Sequence, residues 1–179
     1  MINPYFEKTK KVGDVSVISY GIGSYGYDIK LSEDFAYFGE PTPPTVDPKD
    51  FGGMKLRKIR ASQTIIPAHD FILGMSTEYF RIPCNIMGVC VGKSTYARCG
   101  VIVNVTPLEP GWEGRLVIEI TNGGSLPVKI YANEGIAQVL FIKCGDCESS
   151  YSGLYQKQQT FGKTIMLPTI PWAKHNYEG

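Results

Sequence analysis

The chain has 179 residues, 43% hydrophobic and 20% charged, the make-up of one globular domain with a real core. Eighteen Lys and Arg against 17 Asp and Glu leave a net charge of +1, so no chain-wide basic field marks a nucleic-acid or membrane-surface binder. No apolar run approaches ~20 residues and no apolar leader opens the chain, which argues against a membrane span or secretion and for a cytoplasmic location.

In chain order the predicted elements are almost all strands. Residues 15–19 and 27–31 are short extended segments bracketing the glycine-rich SYGIGSYGYD. Residues 39–53, with prolines at 41, 43, 44 and 48, read as a surface loop. Strands are expected at 64–66 and 70–75 around a Pro67-Ala-His turn, then at 86–91, 101–106, 115–121, 127–132 and 136–142. Their recurrence about every dozen residues, with Gly, Pro and Asn between, predicts a sandwich or a closed barrel. Only 93–99 reads as helical. The polar, Gln-rich tail from Tyr151 reads as an arm that orders against another surface.

Five cysteines, Cys84, Cys90, Cys99, Cys144 and Cys147, read as reduced thiols. Cys144 and Cys147 have CxxC spacing but no partner CxxC, so two loop thiols are favoured over a metal site. His69 and His175 stand in no motif.

VGKSTYARCG (91–100) holds the last four letters of a phosphate-binding P-loop. That loop needs a glycine five residues before its Gly-Lys pair and a helix after it. Met87 occupies the glycine position, and the β-branched Val101-Ile-Val103 follows. The P-loop reading fails, which leaves Lys93, Ser94, Thr95 and Arg98 to explain. On a short helix Ser94 and Arg98 share a face, as a hydroxyl and an anion-binding fork; the alternative is an N-cap serine beside an exposed arginine.

Alternation in Arg115-Leu-Val-Ile-Glu-Ile-Thr121 places Leu116, Ile118 and Ile120 on one face and Arg115, Val117, Glu119 and Thr121 on the other. Glu119 then either faces water or is held in a site that raises its proton affinity. In the stiff turn 106–114, Pro107 and Pro110 fix the backbone around Glu109 and Trp112. Such a turn either offers carbonyls and an aromatic wall to a planar base or simply packs the tryptophan.

These segments together resemble the dCTP deaminase family, a branch of the trimeric dUTPase-like fold. The resemblance rests on GKSTYARCGVIVNVTPLEPGWEGRLVIEITN, LPVKIYANEGIAQVLF, SYGYDIKLSEDFAYF and Thr45-Val-Asp-Pro-Lys, within a likeness running from about Val15 to Gln159. It implies a mainly β fold: a distorted antiparallel β-barrel with one short helix, assembled as a homotrimer with active sites between subunits. One domain is expected over 1–179, with 151–179 an arm closing over the site. The activity implied is hydrolysis of dCTP to dUTP and ammonia, with Mg2+ carried by the triphosphate. dTTP or dUTP would be inhibitors, and neither nucleic acid nor membrane a partner.

By the same resemblance Glu119, Ser94 and Arg98 are catalytic. Lys93, Thr95, Tyr96 and Ala97 complete the nucleotide-contacting segment, and Val117 and Ile118 line the base pocket. Glu109 and Trp112 fill the family's acidic and aromatic positions, while Gln138, Tyr151 and Gln158 grip phosphates and belong to the closing arm. Two departures stand out. Leu154 occupies the place of a lysine in relatives, with Lys157 a possible substitute, and the chain begins near the family's first strand, without its leading helix.

Zinc cytidine deaminases carry H-x-E and P-C-x-x-C. Here neither histidine is followed by x-Glu, and the cysteine after Pro83-Cys84 is Cys90, so protein groups are expected to activate water without zinc. In that mechanism Glu119 moves a proton from water, held near Ser94 and carbonyls at 105–107, to the base, while Arg98 keeps Glu119 in register. A bifunctional enzyme giving dUMP and pyrophosphate through Glu109, or a non-catalytic nucleotide sensor on the same barrel, are the alternatives.

Overall fold

The computed structural model describes residues 1–39 and 55–161. The proline-rich loop with its Thr45-Val-Asp-Pro-Lys motif, His175 and the tail beyond Phe161 lie outside the described residues. Twelve strands and one helical turn follow in chain order: β1 (Ile2–Asn3), β2 (Thr9–Val12), β3 (Val15–Ile22), β4 (Tyr27–Gly39), β5 (Lys55–Arg60), β6 (Gln63–Ile66), β7 (Phe71–Arg81), β8 (Ile86–Gly92), α1 (Ser94–Ala97), β9 (Val101–Asn104), β10 (Glu113–Asn122), β11 (Val128–Tyr131) and β12 (Gly135–Lys143).

Every predicted strand is present. The sequence reading missed β1, β2 and β5 and cut β4 and β7 short. β4 runs on through Ser32-Glu-Asp34, polar residues that strand-pattern reading treats as punctuation. It can do so because tertiary pairing overrides propensity: Asp34, Phe35 and Ala36 lie opposite Arg60, Ile59 and Lys58 of β5.

The fold is the expected distorted antiparallel β-barrel. Ten strands form one branched sheet through β2-β3-β4-β7-β10-β9, and β6 pairs with β11 separately. β4 turns the sheet on itself. Its first residues pair with β3 and β12, its later ones with β5 and β7, and the β4–β7 register shifts between Leu31 and Phe35. A strand that changes partners across an irregularity makes a corner, which a flat sheet lacks.

Ile29, Leu31, Phe35, Phe80, Ile118, Ile120, Ile136 and Val139 fill the space so enclosed. Burying each such side chain contributes roughly 1.5–3 kcal/mol. Buried Asn122 closes the far end of β10, its amide donating to the carbonyls of Ile66 (3.1 Å), Pro67 (2.9 Å) and Leu126 (2.8 Å). Where the 134–136 turn passes β3, a Cβ on Gly135 would collide with the Ser19 carbonyl oxygen, so only glycine lets the strands approach.

One buried acid was not foreseen. Glu78, fully enclosed in β7, accepts hydrogen bonds from the Tyr27 hydroxyl (3.1 Å) and the Lys30 amide (3.1 and 3.2 Å). The same hydroxyl accepts from the Phe6 amide at 3.2 Å, which ties the N-terminal segment to the barrel. Burial pushes the Glu78 carboxyl up from 4.5 to about 7, against the smaller opposing effect of those hydrogen bonds.

The raised value fixes the sign of a stability effect. The folded chain holds this proton more tightly than the unfolded one, so stability is greatest below pH 4.5 and falls as pH rises to about 7. Glu78→Gln stays neutral throughout. Its stability relative to wild type should therefore climb across that window by up to about 3 kcal/mol. Denaturant titrations at pH 5 and pH 8 check this; a pH-independent difference removes the titration from Glu78.

Candidate active site

β10 shows the alternation read from the sequence. Leu116, Ile118 and Ile120 are buried in the core, whereas Arg115, Val117, Glu119 and Thr121 face the other way and are partly open. On that second face Val117 lies opposite Met75 and Glu119 opposite Leu73 of β7. Leu73 and Met75 form a small separate apolar cluster with Ala36 and Phe161, and Val117 packs against it. Glu119 thus sits beside apolar cover, with no cation pairing with it among the described residues. Burial raises its carboxyl above the usual range, and its own backbone amide only partly offsets this. Of the two readings left open for Glu119, the structure favours the held carboxyl.

The cavity in front of Glu119 is about 600 Å³, within the range of small-ligand sites. Val105, Thr106 and Pro107 line one part of it, Val117 and Leu116 another, and Glu109 and Trp112 also border it. Leu116 enters because the β7–β10 register slips between Arg115 and Val117. β9 ends at Asn104, two residues before the expected limit, and the chain beyond it leaves the sheet to make that first part of the lining.

The arm supplies the remaining side: Tyr151, Tyr155 and Gln158 line the cavity. It is anchored on the 110–115 turn. The buried Trp112 indole donates to the Tyr155 carbonyl (3.0 Å), and Tyr151 N–H donates to Pro110 (2.9 Å). The Gln156 side chain accepts from Glu113 N–H (2.8 Å) and donates to Gly111 (2.9 Å) and Tyr151 (3.1 Å) carbonyls. Gln158 pairs with β10 through Arg115 N–H to its carbonyl at 2.7 Å. A Cβ on Gly114 would meet the Trp112 ring at 2.8 Å and the Gln158 backbone at 3.0 Å, so glycine is what lets the arm lie this close. The tryptophan therefore does both things its turn allowed: it lines the cavity and packs the hairpin.

Several predicted residues fall elsewhere. Ile118 does not line the cavity; it is fully buried on the core face, as strict alternation requires. The Tyr96 side chain is also taken up by the core, its hydroxyl accepting from Tyr131 N–H at 3.1 Å. Ser94 is not an N-cap. Lys93 holds that position without a side-chain cap, and Ser94 opens the helical turn, exposed beside Thr95, with Ala97 and Arg98 exposed after it. Lys157 reaches Glu113 at 3.6 Å and does not line the cavity.

Lys93 and Gln138 meet at a partner the sequence reading did not single out, the buried Asp28 of β4. Lys93 Nζ lies 2.5 Å from one carboxylate oxygen and 3.2 Å from Ser19 Oγ, and Gln138 Nε2 donates to the other oxygen at 3.1 Å. The signal was the aspartate closing SYGYD, polar and unspaced from an apolar strand. Tyr155, Gln156 and Leu116 were missed because no short motif carries them.

Within one chain Ser94 and Arg98 are not brought to Glu119. Glu119 pairs with Asn104, and β9 runs from there back to Val101, opposite Asn122. That is three residues away, about 10 Å at ~3.4 Å per residue, and α1 lies beyond it. Among the described residues no three His, Cys, Asp or Glu side chains converge into a metal-binding group, and no helix is long and apolar enough to cross a membrane.

Comparison with known proteins agrees with this architecture. A family model described as dCTP deaminase-like matches residues 6–144. The dCTP deaminase of Acidobacterium capsulatum is 50% identical over 175 residues, covering 95% of this chain and 91% of that protein. The dCTP deaminase of Nautilia profundicola is 50% identical over 175 residues, with 95% and 90% covered, and that of Azotobacter vinelandii 48% over 163, with 88% and 87%. Among solved structures, 2'-deoxycytidine 5'-triphosphate deaminase from Agrobacterium tumefaciens aligns with a TM-score of 0.55 at 16% identity, over 69% of this chain and 40% of that one, a likeness of fold. With the family model spanning most of its length and half its residues shared with such relatives, this chain belongs to the dCTP deaminase-like family.

Proposed function

We propose that the protein hydrolyses dCTP to dUTP and ammonia, with Glu119 as the proton-transferring group. The observation that carries the reading is a half-buried carboxyl of raised proton affinity at the wall of a base-sized cavity, in a chain half identical to dCTP deaminases. Glu119 takes a proton from water as the oxygen attacks C4 of cytosine and passes it to N3. Glu119 then takes the proton of the new C4 hydroxyl and gives it to the amine, so that the C4 carbonyl forms as the C4–N bond breaks and ammonia leaves. General acid–base action of this kind supplies ~10²–10⁴-fold. The fixed carbonyls at 105–107 orient the water and the exocyclic amine, supplying position and preset dipoles.

The assembly is a homotrimer in this reading, and a neighbouring copy brings Ser94 and Arg98 to the cavity. This reconciles their exposure with a catalytic role. Lys93 and Gln138, set in place by Asp28, face the triphosphate, whose charge Mg2+ shares as part of the substrate. The reaction runs on protein groups without zinc, and dTTP or dUTP competes for the same cavity.

The test is ammonia release measured with dCTP, dCDP, dCMP and CTP, with nucleotide products separated in parallel. dCTP is expected to be the best substrate, and dUTP to accumulate without pyrophosphate. Pyrophosphate and dUMP would instead establish the bifunctional reading, for which Glu109 in the cavity lining is the available acid. Tight dCTP binding with no ammonia would leave a nucleotide sensor.

A further inference from the structure

All five cysteines lie among the described residues, and three of them gather at one end of the barrel, in the loop between β7 and β8 and just after β12. They are not equivalent. Cys90 is half-buried against the core, and desolvation pushes its thiol up to about 12, so it stays protonated. Cys144 turns back on its own strand, Sγ donating to the Ile142 carbonyl at 3.6 Å. Cys84 and Cys147 instead face a shared third group. Ser150 Oγ hydrogen-bonds Cys84 Sγ at 3.2 Å and Cys147 Sγ at 3.8 Å, so the sulfurs can be no farther apart than those two distances laid end to end.

The backbones of the two residues are also joined, Cys147 N–H donating to the Cys84 carbonyl at 3.1 Å. That bond keeps the two backbones adjacent as well as the two side chains, as a disulfide between them requires. Cys84 is exposed and Cys147 half-buried, so a small disulfide can reach the pair. The spacing that drew attention in the sequence, Cys144 with Cys147, is not the pair the fold puts face to face.

We propose that Cys84 and Cys147 close reversibly into a disulfide that displaces Ser150 and with it the arm wall of the active-site cavity. The co-reactant is a low-molecular-weight disulfide such as oxidised glutathione. The exposed Cys84 thiolate attacks one of its sulfurs, forming a mixed disulfide and releasing one glutathione thiolate. Cys147 as thiolate then attacks the Cys84 sulfur, the protein S–S bond forms, and a second glutathione thiolate leaves. Two protein thiols are oxidised, one glutathione disulfide is reduced to two thiols, and the two protons end on those thiols.

The consequence follows from where Ser150 sits. Its hydroxyl contacts both sulfurs, which on linkage converge to roughly 2 Å and lose their S–H protons, so the contacts that hold Ser150 are remade. Its Cβ packs on the bare backbone of Gly111, where an added Cβ would meet it at 2.7 Å. The next residue, Tyr151, lines the cavity and is held by Pro110. Movement at Ser150 is therefore passed to Tyr151 and to the turn that carries Glu109 and Trp112.

Full-length protein, fully reduced and then incubated with oxidised glutathione, tests this by peptide mapping after alkylation. One linked pair joining Cys84 to Cys147, two hydrogens lighter and reopened by dithiothreitol, is expected in wild type and in Cys144→Ser. It should be absent from Cys84→Ser and Cys147→Ser. Hydrogen exchange over 150–158 should change in the linked protein and revert on reduction. A Cys144–Cys147 link, glutathione adducts alone, or unchanged exchange overturns the proposal. These readouts need no substrate. dCTP turnover, expected to fall severalfold on linkage in wild type but not when Cys84→Ser is treated alike, is the one that rests on the proposed activity; unchanged turnover in linked, active protein overturns the coupling to the site.

Discussion

Glu119→Gln is expected to bind dCTP about as well as wild type and to release ammonia ~10²–10⁴-fold more slowly. The substitution keeps the shape of the side chain and its place between Leu73 and Asn104 in the ladder, so the strand and the cavity wall survive. What goes is the ability to accept a proton from water. Stopped-flow binding alongside a coupled ammonia assay separates the two quantities, and turnover retained in the variant removes Glu119 from the chemistry. The pH profile adds a second reading. A base must be ionised to act, and burial has raised this carboxyl, so kcat should fall about tenfold per pH unit on an acid limb lying above the ordinary glutamate range. That limb should vanish in the residual activity of the variant.

The same burial has a cost in the folded state. An acid held above its unfolded value weakens folding as pH rises through its titration, so Glu119→Gln should be more stable than wild type at neutral pH and above. A variant that loses turnover while gaining stability is the signature of a strained functional group; loss of both would mark a structural one.

The strand positions and the face of β10 were legible because one face of the sheet is core, and a period of two survives wherever that holds. Glu119 could be picked out from its strand alone for the same reason. Partners from distant parts of the chain were not legible. Glu78 looks like any strand glutamate until Tyr27 and the Lys30 amide, some fifty residues earlier, are seen to enclose it. Asp28 looks like any strand aspartate until Lys93, the N-cap of α1, and Gln138 of β12 meet it. The error at Ile118 is of another kind: a residue next to Glu119 in sequence was given its neighbour's role, although alternation in the same strand already sent it to the core. The arm misled less than its composition suggested, since Gln156 and Gln158 use their amides on the backbone of the 110–115 turn and β10.

The separation of Glu119 from Arg98 sets the most demanding expectation. Glu119→Gln and Arg98→Ala should each be nearly inactive alone and recover activity when subunits are exchanged. In a ring of three with each site between neighbours, one copy lends Glu119 and the next lends Arg98. Random 1:1 assortment of the two variants leaves about a quarter of all sites with both groups intact, and in rings that hold both variants about one site in three. Separately tagged variants, mixed under conditions that permit exchange and purified through both tags, make the measurement direct. Recovery is expected at that scale, because Arg98 is exposed at one end of the β9–β10 ladder while the cavity opens at the other. Mixed assemblies that stay inactive would mean that both groups serve a site within one chain. The gap between them, with Glu119 and Val101 already roughly 10 Å apart along the sheet, would then have to be closed by movement of α1, a single turn fastened to the barrel by the buried Tyr96 and, at its N-cap, by Lys93 on Asp28.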